Sequence, residues 1–177
     1  MKENVSANWV RKRERLIVAR VLEAGLEFTF SDVRKIVYEM SYSVQKEKHP
    51  EDCPCYGSKP CHSDVRDFNC FVCGCPNYDP NVRDKTGFTG GCVVSNRGGE
   101  YLPNPNPGKD GLGEKIWDCS DCSSYHLPLS SELFLIVRLE YYADLASRLK
   151  KERVQKGFVD FKSFADFLSR DVLGHKS

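Results

Sequence analysis

A mainly α fold is predicted: a helical bundle flanking a loop-rich, stapled insert, small α+β in class. Three observations predict it. Apolar residues recur at helical spacing near both ends, at Val33, Ile36, Val37, Met40 and Val44 and again from Leu133 to Leu149. The middle is instead rich in Cys, Gly, Pro, Asn and Asp, a composition that cannot bury enough apolar surface to offset its own ordering entropy. All nine cysteines of the 177 residues fall in that middle, between positions 53 and 126. The expected organisation is an N-terminal helical segment over 1–52, a cysteine-rich module over 53–126, and a C-terminal helical segment over 127–177 that packs with the N-terminal helices.

Taken in order, residues 8–24 read as a helix through Trp9, Val10, Leu16, Ile17, Val21 and Leu22, with Gly25 as its stop. Ser31 is the expected N-cap of a second helix over 32–47, ended by His49-Pro50. In the insert, Gly98-Gly99 and the run from Pro103 to Gly111 are turn chemistry, and Val93-Val94 and Lys115-Ile116-Trp117 are candidate short strands beside a long loop. A third helix is expected over 131–154, capped by Ser130 or Ser131. Its apolar residues on more than one face make it the candidate central helix. Gly157 ends it. A last helix over 160–172 carries Phe161, Phe164, Phe167 and Leu168, with Asp160 as its cap. The sequence has no internal repeat.

The insert needs staples, and its spacing says which kind. Cys53-x-Cys55, Cys61-His62, Cys70-x-x-Cys73-x-Cys75 and Cys119-x-x-Cys122-x-x-x-His126 place thiols and imidazoles as metal ligands are placed. A Cys-x-x-Cys sets two thiolates on one turn, where both can reach one ion. The start, MKENVSANWVRKRER, lacks the apolar core and cleavage site of a secretory signal. The expected compartment is therefore the reducing cytoplasm, where thiolates coordinate metal rather than pair. An odd cysteine count also disfavours a closed disulfide set. Zinc fits mixed Cys/His sets first. An iron–sulfur cluster is the alternative, because three thiolates in Cys-x-x-Cys-x-Cys-Pro plus a distant one could ligate a cubane. Cys92 stands alone and reads as a small buried hydrophobe. His62 is open between ligand and outer-shell donor. His49 and His175 read as solvated. The run Arg11-Lys12-Arg13-Glu14-Arg15 reads as the wet face of a helix, and Tyr141-Tyr142 reads as core.

The order Cys, Pro60-Cys61-His62, Cys70-x-x-Cys73-x-Cys75-Pro76-x-Tyr78, then Asp118-Cys119-x-x-Cys122-x-x-x-His126 resembles the cysteine-rich small domain. That metal-binding module of archaea and bacteria occurs alone and fused to the threonine-phosphate decarboxylase of cobamide assembly. The resemblance covers 53–126. It implies the ligands Cys61, His62, Cys70, Cys73, Cys75, Cys119, Cys122 and His126, enough for two four-coordinate sites, with Cys55 matching the leading cysteine. Cys53 and Cys92 stand outside the pattern, Asn77 replaces an apolar residue, and 79–111 is longer than usual.

Other function classes leave little trace. Basic and acidic residues number 26 and 25, and each of the three regions is close to neutral, which argues against an electrostatic nucleic-acid binder. No run of apolar residues is long enough to span a membrane. No P-loop, dinucleotide fingerprint or nucleophile elbow is present, and no catalytic set stands out. The expectation is a metal-binding accessory or interaction protein with two structural, zinc-finger-like sites and a protein partner. The alternatives are an iron–sulfur redox or enzymatic protein linked to cobamide metabolism, and a zinc-dependent nucleic-acid-binding module.

Overall fold

The structure is a computed structural model that describes residues 5–57, 61–62, 66–73, 77–79, 81–85, 87–93, 99–104, 107, 113–119, 121–122 and 126–174. Its helices are α1 (Val5–Glu23), α2 (Val33–Glu39), α3 (Tyr42–Lys48), α4 (Pro54–Gly57), α5 (Pro128–Val137), α6 (Leu139–Gln155) and α7 (Phe161–Leu173). Short 3-10 turns cover Phe30–Asp32 and Pro50–Asp52. The class is mainly helical, with small antiparallel ladders in the middle of the chain.

The central helix is α1, not the helix expected over 131–154. Leu16, Ile17, Val18, Ala19, Val21 and Leu22 are all buried in succession, so this stretch is apolar on every side and needs partners all round. It packs chiefly on α7, and also on α6. Gly25, at φ 72°, closes α1 in the left-handed conformation that glycine tolerates best. There the amides of Gly25 and Leu26 reach back to the Leu22 and Val21 carbonyls.

The expected helix over 131–154 divides at Arg138 into α5 and α6. The bend separates two environments. Tyr142, Leu145, Ala146 and Leu149 of α6 enter the core, whereas Leu133 and Val137 of α5 keep 57% and 84% of their surface in solvent. Neither Ser130 nor Ser131 caps α5. Leu127 takes that position, with Pro128 in the first turn, where its missing N–H costs nothing. The last helix follows expectation: Asp160 Oδ1 accepts from the Ser163 amide at 2.8 Å, and Gly174 ends it at φ 71°.

The helix expected over 32–47 is also divided. Ser31 does not cap it; its hydroxyl pairs with Thr29 instead. The helix stops at Met40 because another segment crosses there. The Cys70 amide donates to the Met40 carbonyl at 2.7 Å, and the Tyr42 amide donates to the Phe68 carbonyl at 2.8 Å. Ser41 and Asn69 form a β-bridge. The apolar stripe is buried up to the break, at Val33, Ile36, Val37 and Met40, while Val44 beyond it is only partly buried.

In the insert, β1 (Tyr78–Asp79) pairs with β4 (Gly91–Cys92), β2 (Arg83–Asp84) with β3 (Gly87–Phe88), and β5 (Glu100–Pro103) with β6 (Lys115–Asp118), all antiparallel. The candidate strand at 115–117 is present. The one at 93–94 is displaced: Val93 follows β4, and Val94 lies outside the described residues. Two contacts join the ladders, from the Trp117 amide to the Thr89 carbonyl and from the Tyr101 hydroxyl to the Gly90 carbonyl. Among the described residues no helix is long and apolar enough to cross a membrane.

Candidate functional site

Two features of α1 hold the start of the cysteine-rich segment. Arg13 and Arg20 lie seven residues apart, so they share one helix face. Arg20 grips the Asp52 carboxylate with both Nε and Nη2 at 2.7 Å, and both side chains are buried. Arg13 Nη1 donates to the Asp52 backbone carbonyl at 2.9 Å. Cys53 is therefore anchored at the central helix. The expected wet face is wrong at Arg13, which keeps only 3% of its surface exposed. Its Nε is buried without a hydrogen-bond partner.

Around Arg13 the chain gathers thiols. Cys53 immediately precedes the short helix α4, and Cys55 lies within it. The Tyr56 hydroxyl donates to Cys70 Sγ at 3.2 Å, and Cys53, Cys61, Cys70, Tyr42, Tyr56 and Phe68 form one buried cluster. Cys73 packs instead against the main core. The Cys73 amide bonds back to the Cys70 carbonyl at 3.2 Å, which is the tight turn a Cys-x-x-Cys needs to aim both sulfurs one way. Its intervening Phe71 and Val72 plug into the core, where Phe71 meets Tyr142 edge to face at 5.0 Å.

Burial and neighbouring thiols shift these cysteines together. Burial, then the Cys73, Cys55 and Cys53 charges, push the Cys61 thiol up to about 12. Burial and Cys73 do the same to Cys70, again to about 12, although Tyr56 and Arg13 oppose them. Burial raises Cys53 as well, against the pull of Arg13. Burial disfavours the Arg13 charge, but Cys73, Tyr56, Cys70 and Cys53 together hold it well above its ordinary range.

A second group lies on the other side of Asn69. His62 and His126 bring their rings to 4.6 Å, and Phe68 stacks on His126 at 4.1 Å. His126 Nδ1 sits 3.3 Å from the Asn69 carbonyl. A carbonyl only accepts, so Nδ1 carries the proton and Nε2 keeps a free lone pair. Burial, then the neighbouring His62, lowers His126 to about 4, so the ring is neutral at pH 7. Neither nitrogen of His62 has a well-aligned hydrogen-bond partner. Burial lowers its pKa, while Asp118, the Cys122 backbone and Asp121 pull the other way. The Cys122 amide bonds to the Cys119 carbonyl at 2.9 Å, a second Cys-x-x-Cys turn.

Asn69 joins the two groups. Its amide donates to the His126 carbonyl at 2.7 Å. Its side-chain amide donates to the Val37 carbonyl at 2.5 Å, and its Oδ1 accepts from the Phe71 amide at 2.9 Å.

No family model matches this chain, and neither a curated protein nor a solved structure matches it.

Of the expected ligands, Cys55, Cys61, Cys70 and Cys73 fall in the first group, and His62, Cys122 and His126 in the second, with Cys119 in the same turn as Cys122. Cys75 lies outside the described residues, as does His175. The eight described cysteines carry free thiols. Among the described residues no three Cys, His, Asp or Glu side chains already stand at metal-ligating spacing. Cys92 is not buried as expected: it is partly exposed on β4, opposite Tyr78. His49 is not simply solvated, because it lines a polar cavity with Arg20, Glu23, Glu39 and Lys48. Burial and then Arg20 lower its pKa. The Tyr141-Tyr142 pair divides, with Tyr142 buried and Tyr141 exposed and donating to Glu14. Sequence inspection missed Arg13, Arg20, Asp52 and Asn69. The only signal for the arginines was their seven-residue separation, two turns apart on one face of α1.

Proposed function

We propose that this chain is a metal-binding protein with two centres, zinc being the ion its donors fit first, and that it serves as an accessory or interaction module. The observation that carries this reading is a thiol-rich cluster of Cys53, Cys61 and Cys70, held at its start by a buried arginine whose Nε has no partner. A thiol-lined site next to an unsatisfied buried cation suits an anionic metal centre better than it suits an apolar core.

The donor chemistry fits. Cys53, Cys55, Cys61, Cys70 and Cys73 supply more than one tetrahedral shell, and the Cys70–Cys73 turn is formed. In the second group the donors are His62, Cys119, Cys122 and His126, and the free Nε2 lone pair of His126 is the form a metal takes. A bound ion would neutralise thiolate charge and close the loops between these residues. Full shells leave no position for substrate, which is the pattern of structural rather than catalytic zinc.

A second reading draws on the same first group. It is rich in thiols and free of imidazole, which also suits an iron–sulfur cluster. Elemental analysis of fully reduced, tag-free protein, prepared with and without air, tests both. About two zinc ions per chain are expected by the ligand count. Less than one metal per chain would overturn the proposal. Iron with acid-labile sulfide and visible absorption would favour the cluster.

A further inference from the structure

We propose that Arg13 is the buried counter-ion of the first centre, committing it to an all-thiolate, net-negative metal site and coupling metal loading to the packing of α1. This rests on the metal-binding reading above and goes beyond it, because it assigns the charge of one centre and a residue outside any ligand motif.

The argument begins with burial. Arg13 has 3% of its surface exposed, and an isolated cation at such a position is strongly unfavourable. Arg20, two turns on, solves the same problem with carboxylates, taking Asp52, Glu23 and Asp166. Among the described residues Arg13 has no such carboxylate: its Nη1 donates to the Asp52 backbone carbonyl and its Nε is unsatisfied. What lies beside it instead is sulfur: the carbonyl it holds belongs to the residue before Cys53, and Cys53 packs on the cluster of Tyr56, Phe68 and Cys70. A neutral thiol is only a weak hydrogen-bond partner for a guanidinium.

Metal loading changes that balance. Each ligand thiol gives its proton to solvent and becomes a thiolate, so a divalent ion held by four of them leaves a doubly negative centre. Buried beside Arg13, that centre gains the charge partner it needs, and Arg13 gains its own. A centre in which neutral imidazoles replaced two thiolates would carry no net charge and would leave Arg13 uncompensated. The imidazoles are in fact grouped elsewhere, with Cys119 and Cys122. Because Arg13 sits on α1 three residues before Leu16, the loaded centre would also set how the central helix seats.

The test uses the full chain with cobalt(II), whose thiolate charge-transfer absorption grows with the number of sulfur ligands. The variants are Arg13→Met, which keeps length and apolar bulk, and Arg13→Lys, which keeps charge. Arg13→Met is expected to unfold no more easily than wild type when metal-free, since it removes an unpaired buried cation. It should also weaken cobalt binding at the thiolate-rich centre by about 10-fold or more, the scale seen when outer-shell partners of a metal are removed. Arg13→Lys should recover much of that affinity. Cobalt affinity unchanged in Arg13→Met would overturn the proposal, as would equal loss of stability with and without metal, which marks a merely structural side chain. Wild-type protein that takes up no cobalt would instead overturn the metal-binding reading itself.

Discussion

His126 gives the most direct residue-scale test of the second group. Its folded pKa lies near 4 against an ordinary value of 6.5, with burial as the main cause. In the metal-free protein the unfolded chain therefore binds a proton between those limits that the folded chain refuses. Stability is full above about pH 6.5, falls as the pH drops toward 4, and loses up to about 3 kcal/mol over the range. Denaturant melts of metal-free protein across that window should show the slope, and His126→Phe, which preserves the stack on Phe68, should flatten it. An unchanged slope in the variant would place the titration elsewhere. The histidine was visible in the sequence through its spacing from Cys119 and Cys122. Arg13 was not, because a basic residue in a run of basic residues normally points to water. Only the tertiary placement of Asp52 and the thiols turns that face inward.

At the scale of elements, Asn69 is the residue that fixes how the insert meets the bundle. It satisfies the end of α2 through Val37, the Cys70–Cys73 turn through Phe71, and the second group through His126. It keeps 1% of its surface, so Asn69→Ala leaves buried backbone groups without partners. That should cost about 2–4 kcal/mol, at roughly 1–3 for each unsatisfied group. It should also weaken metal uptake by the first group, through the Phe71 amide of the Cys70–Cys73 turn, while the second group keeps its link to the Asn69 backbone; chemical denaturation and metal titration read both. Equal loss from both groups would show that they are coupled through the side chain. This crossing also explains why the helix expected over 32–47 is two helices. Periodicity registered the stripe from Val33 to Met40 correctly, but Val44 lies past the break and is only partly buried, and periodicity cannot reveal that residues 68–70 enter between Met40 and Tyr42. The apolar run over 131–154 misled in a similar way. Its residues face two directions because the chain bends at Arg138, not because one helix is buried all round. The helix that is buried all round is α1, whose run from Leu16 to Leu22 is interrupted only by Arg20, paired with carboxylates. The cap at Asp160 and the stops at Gly25 and Gly157 were legible because they depend on local backbone geometry alone.

At the scale of the molecule, one core holds α1, α2, α5, α6 and α7 together, and the insert contributes Phe71 and Val72 to it. Most of that core is independent of the cysteines. Chelation should therefore leave much of the far-ultraviolet helical signal in place while lowering stability and opening the segment between residues 53 and 126 to protease. Circular dichroism before and after chelation, with limited proteolysis, checks this. Complete loss of helical signal would mean that the bundle cannot stand without metal. Some loss is expected, since Phe71 and Val72 sit within a Cys-x-x-Cys turn and would be drawn out as it loosens. Composition made the division between helical flanks and insert legible. It could not show that two residues of the insert are part of the bundle.

The packing of α1 on α7 has a consequence for synthesis. A ribosome releases the chain from its amino end at about 5–20 residues per second. The run from Leu16 to Leu22 therefore emerges long before Phe164 and Leu168, the residues that cover it. In that interval the nascent chain displays an uncovered apolar helix next to every thiol the protein has. That interval is when the chain is most exposed to aggregation and most in need of a chaperone.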